Sequence, residues 1–231
     1  MRGVLGPGTN RLNSFTVKKA TVAFAIYLLE KYDDICEKGV VISHDNRHMS
    51  REFTLITEKV FNDFGIKAYI FDGLRPTPEL SFAVRYLNAR GGVMITASHN
   101  PKQYNGYKVY DDTGCQLVPS KIHRLLEIID SLPNELDVTY CPSINPGELI
   151  ILDESIDEEY VKLVESIVIN NEISKKDFKI VFTPNHGTAY VNAMKVFNDL
   201  GYEIYPLLSQ CDPDPNFSNT LSPNPEDELA Y

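Results

Sequence analysis

The chain has 231 residues, 43% of them hydrophobic, which is enough for one large domain or two small ones with a real core. Its formal charge of −10 argues against nucleic acid as a partner, because nucleic-acid binding depends on basic patches. No apolar run approaches the ~20 residues of a membrane span, and four widely spaced cysteines without a Cys-x-x-Cys pair favour reduced thiols, so we expect a cytoplasmic protein with no membrane partner.

The acidic charge is concentrated in one stretch. Residues 125–161 contain ten of the 32 acids and neither Lys nor Arg, and the remaining 22 acids balance the 22 bases. We interpret this stretch as a solvated face and linker without a catalytic role. The neutral remainder can still gather Arg2, Arg11, Arg47 and Lys108 around an anion.

Residues 2–11 combine two arginines with several glycines and other turn-forming residues. This composition predicts neither a helix nor a strand. It suits a loop whose backbone N–H groups approach a phosphate, whereas the alternative is a flexible leader, which composition alone favours.

Hydrophobic periodicity predicts the elements that follow. Ser50 is the expected N-cap of the second helix and Thr77 that of the third, with Pro78 at its first helical position. The predicted helices cover residues 16–31, 50–64, 77–89 and 119–131, and the predicted strands cover 40–43, 66–71, 93–95 and 107–110. This alternation predicts an α/β domain, a mixed sheet with helices on both faces.

A proline-containing stretch, residues 133–152, is predicted to be the loop that leaves the first domain. A helix opening near Asp157, strands at 178–183 and 202–207 and a helix at 189–200 then repeat the α/β pattern. We therefore divide the chain into a first domain, 1–150, and a partial second α/β domain, 151–231.

Three polar clusters have competing interpretations. His44-Asp45 could be half of a metal site, but no second pair of ligands follows, so a strand-to-helix loop is preferred. Asp212 and Asp214 alternate with prolines and offer too few ligands for Mg²⁺, so we predict a turn. His186 is either catalytic or a turn and capping residue, and we favour the latter.

The most informative stretch begins at the apolar run 93–95, which breaks into Thr96-Ala97-Ser98-His99-Asn100-Pro101. A strand that ends this way carries a hydroxyl to the edge of a sheet, where a ligand can reach it. Asn105-Gly106 is predicted to form a tight turn, and the half-buried strand after it could direct Lys108 towards Ser98.

Residues 96–101, followed by Asn105-Gly106-Tyr107-Lys108, resemble the active-site serine loop of the α-D-phosphohexomutases, the phosphoglucomutase/phosphomannomutase family. In that family the serine carries a phosphoryl group and passes it to a sugar phosphate. Four further segments are similar to family motifs: the Arg-Gly and Gly-x-Gly-Thr-Asn-Arg of residues 2–11, Pro-Thr-Pro at 76–78, Thr-Pro-x-His-Gly-Thr at 183–188 and Ser-Pro-Asn-Pro-Glu at 222–226. The last of these looks like the first turn of a helix.

The resemblance implies a role for each candidate residue. Ser98 would carry the phosphoryl group, and His99 and Lys108 would handle protons or charge beside it. The residues expected to bind the substrate or its phosphate are Arg2, Arg11, Asn100 and Arg47, and Arg47 could also order the active-site face.

The resemblance also implies one Mg²⁺, held in this chain by Ser98 through its phosphate, and a sugar 1,6-bisphosphate as activator. The family's Asp-x-Asp-x-Asp-Arg metal loop does not occur in the sequence. We therefore expect the N-terminal part of a mutase, truncated before that loop and by itself inactive or nearly so. The choice of sugar phosphate and the oligomeric state stay open.

Two other classes of function compete with this expectation. One is a non-catalytic sugar-phosphate-binding or scaffolding protein of the same fold. The other is a serine hydrolase that uses Ser98, although no Gly-x-Ser-x-Gly elbow is present and His99, directly adjacent, should not turn easily to activate the hydroxyl.

Overall fold

A computed structural model of the chain describes residues 1–170, 172–175 and 177–230. Its strands are β1 (Arg2–Val4), β2 (Val40–His44), β3 (Ala68–Phe71), β4 (Gly91–Ile95), β5 (Tyr104–Asp111), β6 (Leu149–Leu152), β7 (Lys179–Phe182) and β8 (Glu203–Pro206). Its helices are α1 (Ser14–Lys31), α2 (Ile35–Lys38), α3 (Ser50–Asp63), α4 (Thr77–Tyr86), α5 (Pro119–Ser131), α6 (Glu154–Ser166) and α7 (Tyr190–Asp199). No helix of these described residues is long and apolar enough to cross a membrane.

Six strands form one mixed sheet in the order β1-β5-β4-β2-β3-β6. β4, β2, β3 and β6 run parallel, while β5 is antiparallel to both of its neighbours. Helices α1, α3 and α5 contribute to a core on one face, and α4 and α6 contribute to a separate core on the other. The predicted α/β class, with a mixed sheet covered on both faces, is confirmed. We call this sheet with its helices the first unit.

Helix α1 begins at a cap that the sequence prediction missed. The Asn13 side chain accepts hydrogen bonds from the N–H groups of Phe15 and Thr16, and the Thr16 hydroxyl accepts one from the Asn13 N–H. This reciprocal pair satisfies N–H groups that have no partner within the helix. From this start, the helix buries Phe24 and Leu28 completely in the core.

Two other helix starts differ from prediction. Met49, in the left-handed conformation, precedes α3, while the predicted cap Ser50 is its first residue and donates its hydroxyl to Asp45. Thr77 is likewise the first residue of α4, and Pro76 takes the cap position without a side-chain hydrogen bond. In both cases the helix begins one residue earlier than the capping residue type suggests.

The tight turn predicted at Asn105-Gly106 is wrong, because both residues lie inside β5. Gly106 is required there for close approach: a Cβ atom would lie 2.5 Å from the carbonyl oxygen of Thr96. On its other side Gly106 pairs with Arg2, so Arg2–Val4 forms an edge strand although composition predicted no strand. The glycine serves chain packing rather than chain reversal.

The predicted loop over residues 133–152 ends in a strand. Leu149–Leu152 pairs parallel with β3 and extends the first sheet, and the predicted boundary at residue 150 falls within it. Four consecutive apolar residues were the signal, and the prolines before them obscured it.

A second unit follows, consisting of the parallel strands β7 and β8, helix α7 and the chain up to residue 230. Phe182, Phe197 and Tyr202 pack edge to face between its strands and helix. The predicted strands and helix agree with these elements to within one residue at each end. The helical turn predicted after residue 225 is a short 3₁₀ helix at Glu228–Ala230.

A cluster of charged side chains in the first unit borders the second unit. Arg75 donates to both carboxylate oxygens of Asp157 at 2.6 and 2.8 Å, although Asp157 belongs to the stretch predicted to be solvated. Beside this pair Glu79 is completely buried and accepts a hydrogen bond from Asn192 of α7 at 2.7 Å. Burial raises the pKa of Glu79 to about 9, Asp157 adds to the rise and Arg75 opposes it.

Candidate functional site

Ser98 lies in the serine loop, residues 96–103, which joins β4 to β5 at the carboxyl end of β4. The residue is exposed, and its φ of 58° places it in the left-handed region. Its N–H donates to the Thr96 hydroxyl at 2.9 Å. A left-handed serine is an unfavourable conformation that persists only where its surroundings hold it, and such residues cluster at functional sites.

The buried side chain of Arg47 binds the backbone of the serine loop and of Tyr104, the first residue of β5. Its guanidinium donates to the carbonyl oxygens of Ser98 at 2.7 Å, Asn100 at 2.5 Å, Pro101 at 2.9 Å and Tyr104 at 3.0 Å. The residue is only 3% exposed. Because its terminal donors are bonded to the backbone, the geometry favours the expected role of ordering the active-site face over the expected role of binding a phosphate.

Asp45 completes the support. Its carboxylate accepts hydrogen bonds from the Arg47 N–H at 3.0 Å and the Ser50 hydroxyl at 2.9 Å, and it lies 3.4 Å from Arg47 Nε. Burial lowers the pKa of Arg47, and the negative charge of Asp45 opposes that shift. The His44-Asp45 pair thus forms the predicted strand-to-helix loop.

Lys108 faces the same side of the sheet as the site. It pairs across β4 and β5 with Met94, and cross-strand partners share one face. Lys108 is half-buried. Burial lowers its pKa, the positive charge of Arg2 lowers it further, and Asp45 opposes the shift. Lys108, Arg2 and Asp45 are therefore close enough to interact electrostatically.

Arg2 and Arg11 are both exposed. Arg11 lies in the loop after β1, where its N–H donates to Gly8 at 3.3 Å. Asn100 is half-buried, and its backbone rather than its side chain is held, by Arg47. Of the predicted phosphate-binding residues, these three keep side chains free of any hydrogen bond recorded among the described residues.

His99 contacts Ser98 directly. Its Nδ1 lies 3.3 Å from Ser98 Oγ, so the expectation that an adjacent histidine cannot turn towards the hydroxyl is wrong. The two exposed side chains follow one another at a left-handed residue, which turns them to the same side. Among the described residues no carboxylate bonds the His99 ring, so the third member of a hydrolase triad is not found there.

A cavity of about 440 Å³ opens above Ser98 between the two units, a size within the ~300–1,000 Å³ of small-molecule pockets. The first unit lines it with Asp45, Asn46, Pro76, Thr77, Pro78, Met94, Thr96, Ser98 and His99. The second unit lines it with Pro184, Asn185, Gly187, Thr188, Phe217, Pro223 and Pro225. Serine, histidine and the loops of the second unit therefore face one space.

His186 has the structural role that was favoured for it. Its ring contacts the Asp212 carbonyl oxygen at 2.9 Å and accepts a hydrogen bond from the Asn219 N–H at 3.2 Å. Asp214 accepts hydrogen bonds from the N–H groups of Asn216 and Ser218. Hydrogen bonding with the Ser218 side chain first, and then with these two N–H groups, lowers the pKa of Asp214 to about 2. Residues 212–218 therefore form a turn, as predicted.

The described residues do not supply the ligands that the expected Mg²⁺ would need. The described residues contain no group of three or more His, Cys, Asp or Glu side chains placed to hold a metal ion. Ser98, as a phosphoserine, would supply phosphate oxygens alone. The described residues therefore do not make a Mg²⁺ site by themselves.

The chain is similar to proteins of known family. The family model for domain I of phosphoglucomutase/phosphomannomutase, an alpha/beta/alpha domain, matches residues 1–135, and the model for domain II matches residues 158–231. A phosphoglucomutase of Staphylococcus epidermidis is 42% identical over the whole chain, and one of Staphylococcus aureus is 38% identical. The chain spans 42% and 41% of the length of these two relatives.

Solved structures agree. A structure of a proposed phosphomannomutase from Thermus thermophilus superposes with a TM-score of 0.80 at 26% identity, over 97% of this chain and 47% of that one. The open form of the Paramecium parafusin shares the fold, with a TM-score of 0.70 at 20% identity, over 97% of this chain and 47% of that one. On these matches the chain belongs to the phosphoglucomutase/phosphomannomutase family.

Proposed function

We propose that the chain is the N-terminal part of a phosphohexomutase, an intramolecular phosphotransferase that moves a phosphoryl group between the 1 and 6 (or 5) hydroxyls of a sugar phosphate through phosphoserine at Ser98. One observation carries the proposal: the exposed Ser98 hydroxyl, at the carboxyl end of a central strand, lines the cavity between the two units. Sites in open α/β sheets favour this edge. The first unit would bear the serine, and the second unit would belong to the partial second domain, with the boundary after β6 instead of at residue 150.

In the proposed step the bond between phosphorus and Ser98 Oγ breaks while a bond forms from phosphorus to a sugar hydroxyl. The proton of that hydroxyl passes to a base, and the departing Ser98 Oγ receives a proton. The return step transfers the other phosphate of the bisphosphate to Ser98, which explains a sugar 1,6-bisphosphate as activator. Such transfers depend on positioning and charge neutralisation. Lys108, whose pKa is lowered by burial, and His99, at 3.3 Å from the oxygen, are the proposed proton carriers.

Arg2, Arg11 and the Asn100 side chain are the proposed contacts to substrate phosphate, because among the described residues no hydrogen bond occupies their side chains. Mg²⁺ is proposed for the whole enzyme, with the Ser98 phosphate as its ligand in this chain. The four described cysteines are free thiols, which supports a cytoplasmic enzyme. Because the described residues lack a metal-ligand cluster, we propose that the chain alone is inactive or nearly so.

Intact mass spectrometry tests the central residue. After incubation with a sugar 1,6-bisphosphate and Mg²⁺, the chain should gain the mass of one phosphoryl group, and Ser98→Ala should gain none. A gain that persists in Ser98→Ala would contradict the proposal. A coupled assay with a sugar 1-phosphate should show no mutase turnover, and family-like turnover would refute the proposed inactivity. A bisphosphate that binds without modifying Ser98 would instead favour the non-catalytic binding protein.

A further inference from the structure

The resemblance led us to expect that Arg47 orders the active-site face; we infer, beyond that, that Arg47 is a positioning residue that couples the left-handed conformation of Ser98 to the position of the second unit. The inference rests on the proposed function only for its consequence in catalysis. The link between Arg47, the serine loop and the second unit concerns this chain alone, and it is tested without any sugar phosphate.

The first observation is the bonding of the guanidinium. One planar group donates to four carbonyl oxygens that span Ser98 to Tyr104, all at 3.0 Å or less. Only arginine offers enough donors in a fixed fork for such a set, since lysine has one compact ammonium. The carbonyl of Ser98 itself is among the four, so the bond acts on the residue with positive φ.

The second observation is that Arg47 also contacts the second unit. Its guanidinium lies 5.3 Å from the centroid of the Phe217 ring, a cation–π distance. Phe217 is 8% exposed, has a φ of 54° and lines the same cavity as Ser98. The ring covers the guanidinium, so solvent cannot compete for the donors that hold the loop.

The third observation is that the residues on either side of Arg47 also contact the second unit. Asn46 donates to the carbonyl oxygen of His186 at 2.7 Å, and His48 Nε2 lies 3.1 Å from Asn216 Oδ1. Three consecutive residues of the loop between β2 and α3 therefore contact the second unit, and the middle one holds the serine loop. A displacement of the second unit would be transmitted to Ser98 through Arg47.

Amide hydrogen exchange of the 231-residue chain, resolved by NMR, tests the inference. The reporters are the Asn100 N–H, bonded to Ala97 O, and the Tyr104 N–H, bonded to Pro101 O. Arg47→Lys keeps the charge but loses the fork, and both amides should exchange roughly tenfold to a hundredfold faster, the loss expected for charge-assisted hydrogen bonds. Val93, in the buried strand β4, should change less than about twofold.

Two further variants complete the test. Phe217→Leu leaves Arg47 intact and removes the aromatic ring, so it should accelerate the same two amides by about threefold to tenfold. Arg51→Gln is the matched control, because this exposed arginine four residues away donates, within the described part of the chain, only to Phe71 O at 3.4 Å. It should leave both amides unchanged.

Unchanged exchange at Asn100 and Tyr104 in both Arg47→Lys and Phe217→Leu would overturn the inference. Equal acceleration at Val93 in both variants would overturn it as well, since it would show a role in overall stability. The phosphoryl-gain experiment is independent: if exchange changes as expected but the phosphoryl gain persists in Ser98→Ala, the proposed function fails and the positioning role stands.

Discussion

Glu79 makes the stability of this chain depend on pH in an unusual direction. Its carboxyl is completely buried at the boundary between the two units. One carboxyl oxygen accepts a hydrogen bond from the Asn192 side chain, and the other has no hydrogen-bond partner among the described residues. Burial, with the carboxylate of Asp157 beside it, raises its pKa to about 9. At neutral pH Glu79 is therefore protonated in the folded chain and ionised in the unfolded one, whose pKa is near 4.5.

The magnitude follows from proton linkage. Between pH 6 and 8 the folded state holds one proton more than the unfolded state, so this group lowers the free energy of unfolding by about 1.4 kcal/mol for each pH unit. Over the two units the loss is about 3 kcal/mol, a large part of the stability of an ordinary domain. Its stabilising contribution is complete below pH 4.5 and is lost as the pH rises towards 9.

Urea unfolding at pH 6, 7 and 8, followed by circular dichroism, measures the slope. Glu79→Gln keeps an acceptor for Asn192 but does not titrate, so its slope should be less steep than that of the wild type by about 1.4 kcal/mol per pH unit. Glu52→Gln, which alters an exposed glutamate in α3, is the matched control and should retain the wild-type slope. Parallel slopes for Glu79→Gln and wild type would refute the protonated carboxyl.

Three other predictions concern single residues. Gly106→Ala should lower the free energy of unfolding by about 2–3 kcal/mol in urea titrations, because its Cβ would meet Thr96 O at 2.5 Å, whereas Gly3→Ala, with open space around it, should cost less than about 1 kcal/mol. Asn13→Ala removes the cap of α1 and should cost about 1–2 kcal/mol, measured in the same way; no change would contradict the capping box. Ser98→Gly should be more stable than Ser98→Ala by about 1 kcal/mol, because glycine accepts the positive φ without strain; the reverse order would exclude that strain.

Local patterns predicted the fold well. Helix and strand periods located most of the elements, and helix α5, opened by Pro119, begins and ends where the sequence predicted. The predictions failed where the reason for a residue type or an element lies in a part of the chain that is distant in sequence. Gly106 has the composition of a turn, but its reason for being glycine is the carbonyl of Thr96 on the neighbouring strand. Residues 149–152 were missed because their partner β3 lies far away in the sequence.

The residues of the candidate site likewise include some that the sequence identified and others whose contacts only the structure shows. Ser98, His99 and Lys108 became candidates because their motif is almost contiguous, and the structure places side-chain atoms of the first two 3.3 Å apart. Arg47 was given two expected roles, binding a phosphate and ordering the active-site face, and only the resemblance to the family suggested the second. Its actual partners are backbone carbonyls, which every residue possesses and which therefore leave no trace in the sequence. Residues that act through the backbone of another loop can be recognised only once the two loops are seen together, and Phe217, which covers Arg47 from the second unit, belongs to the same class.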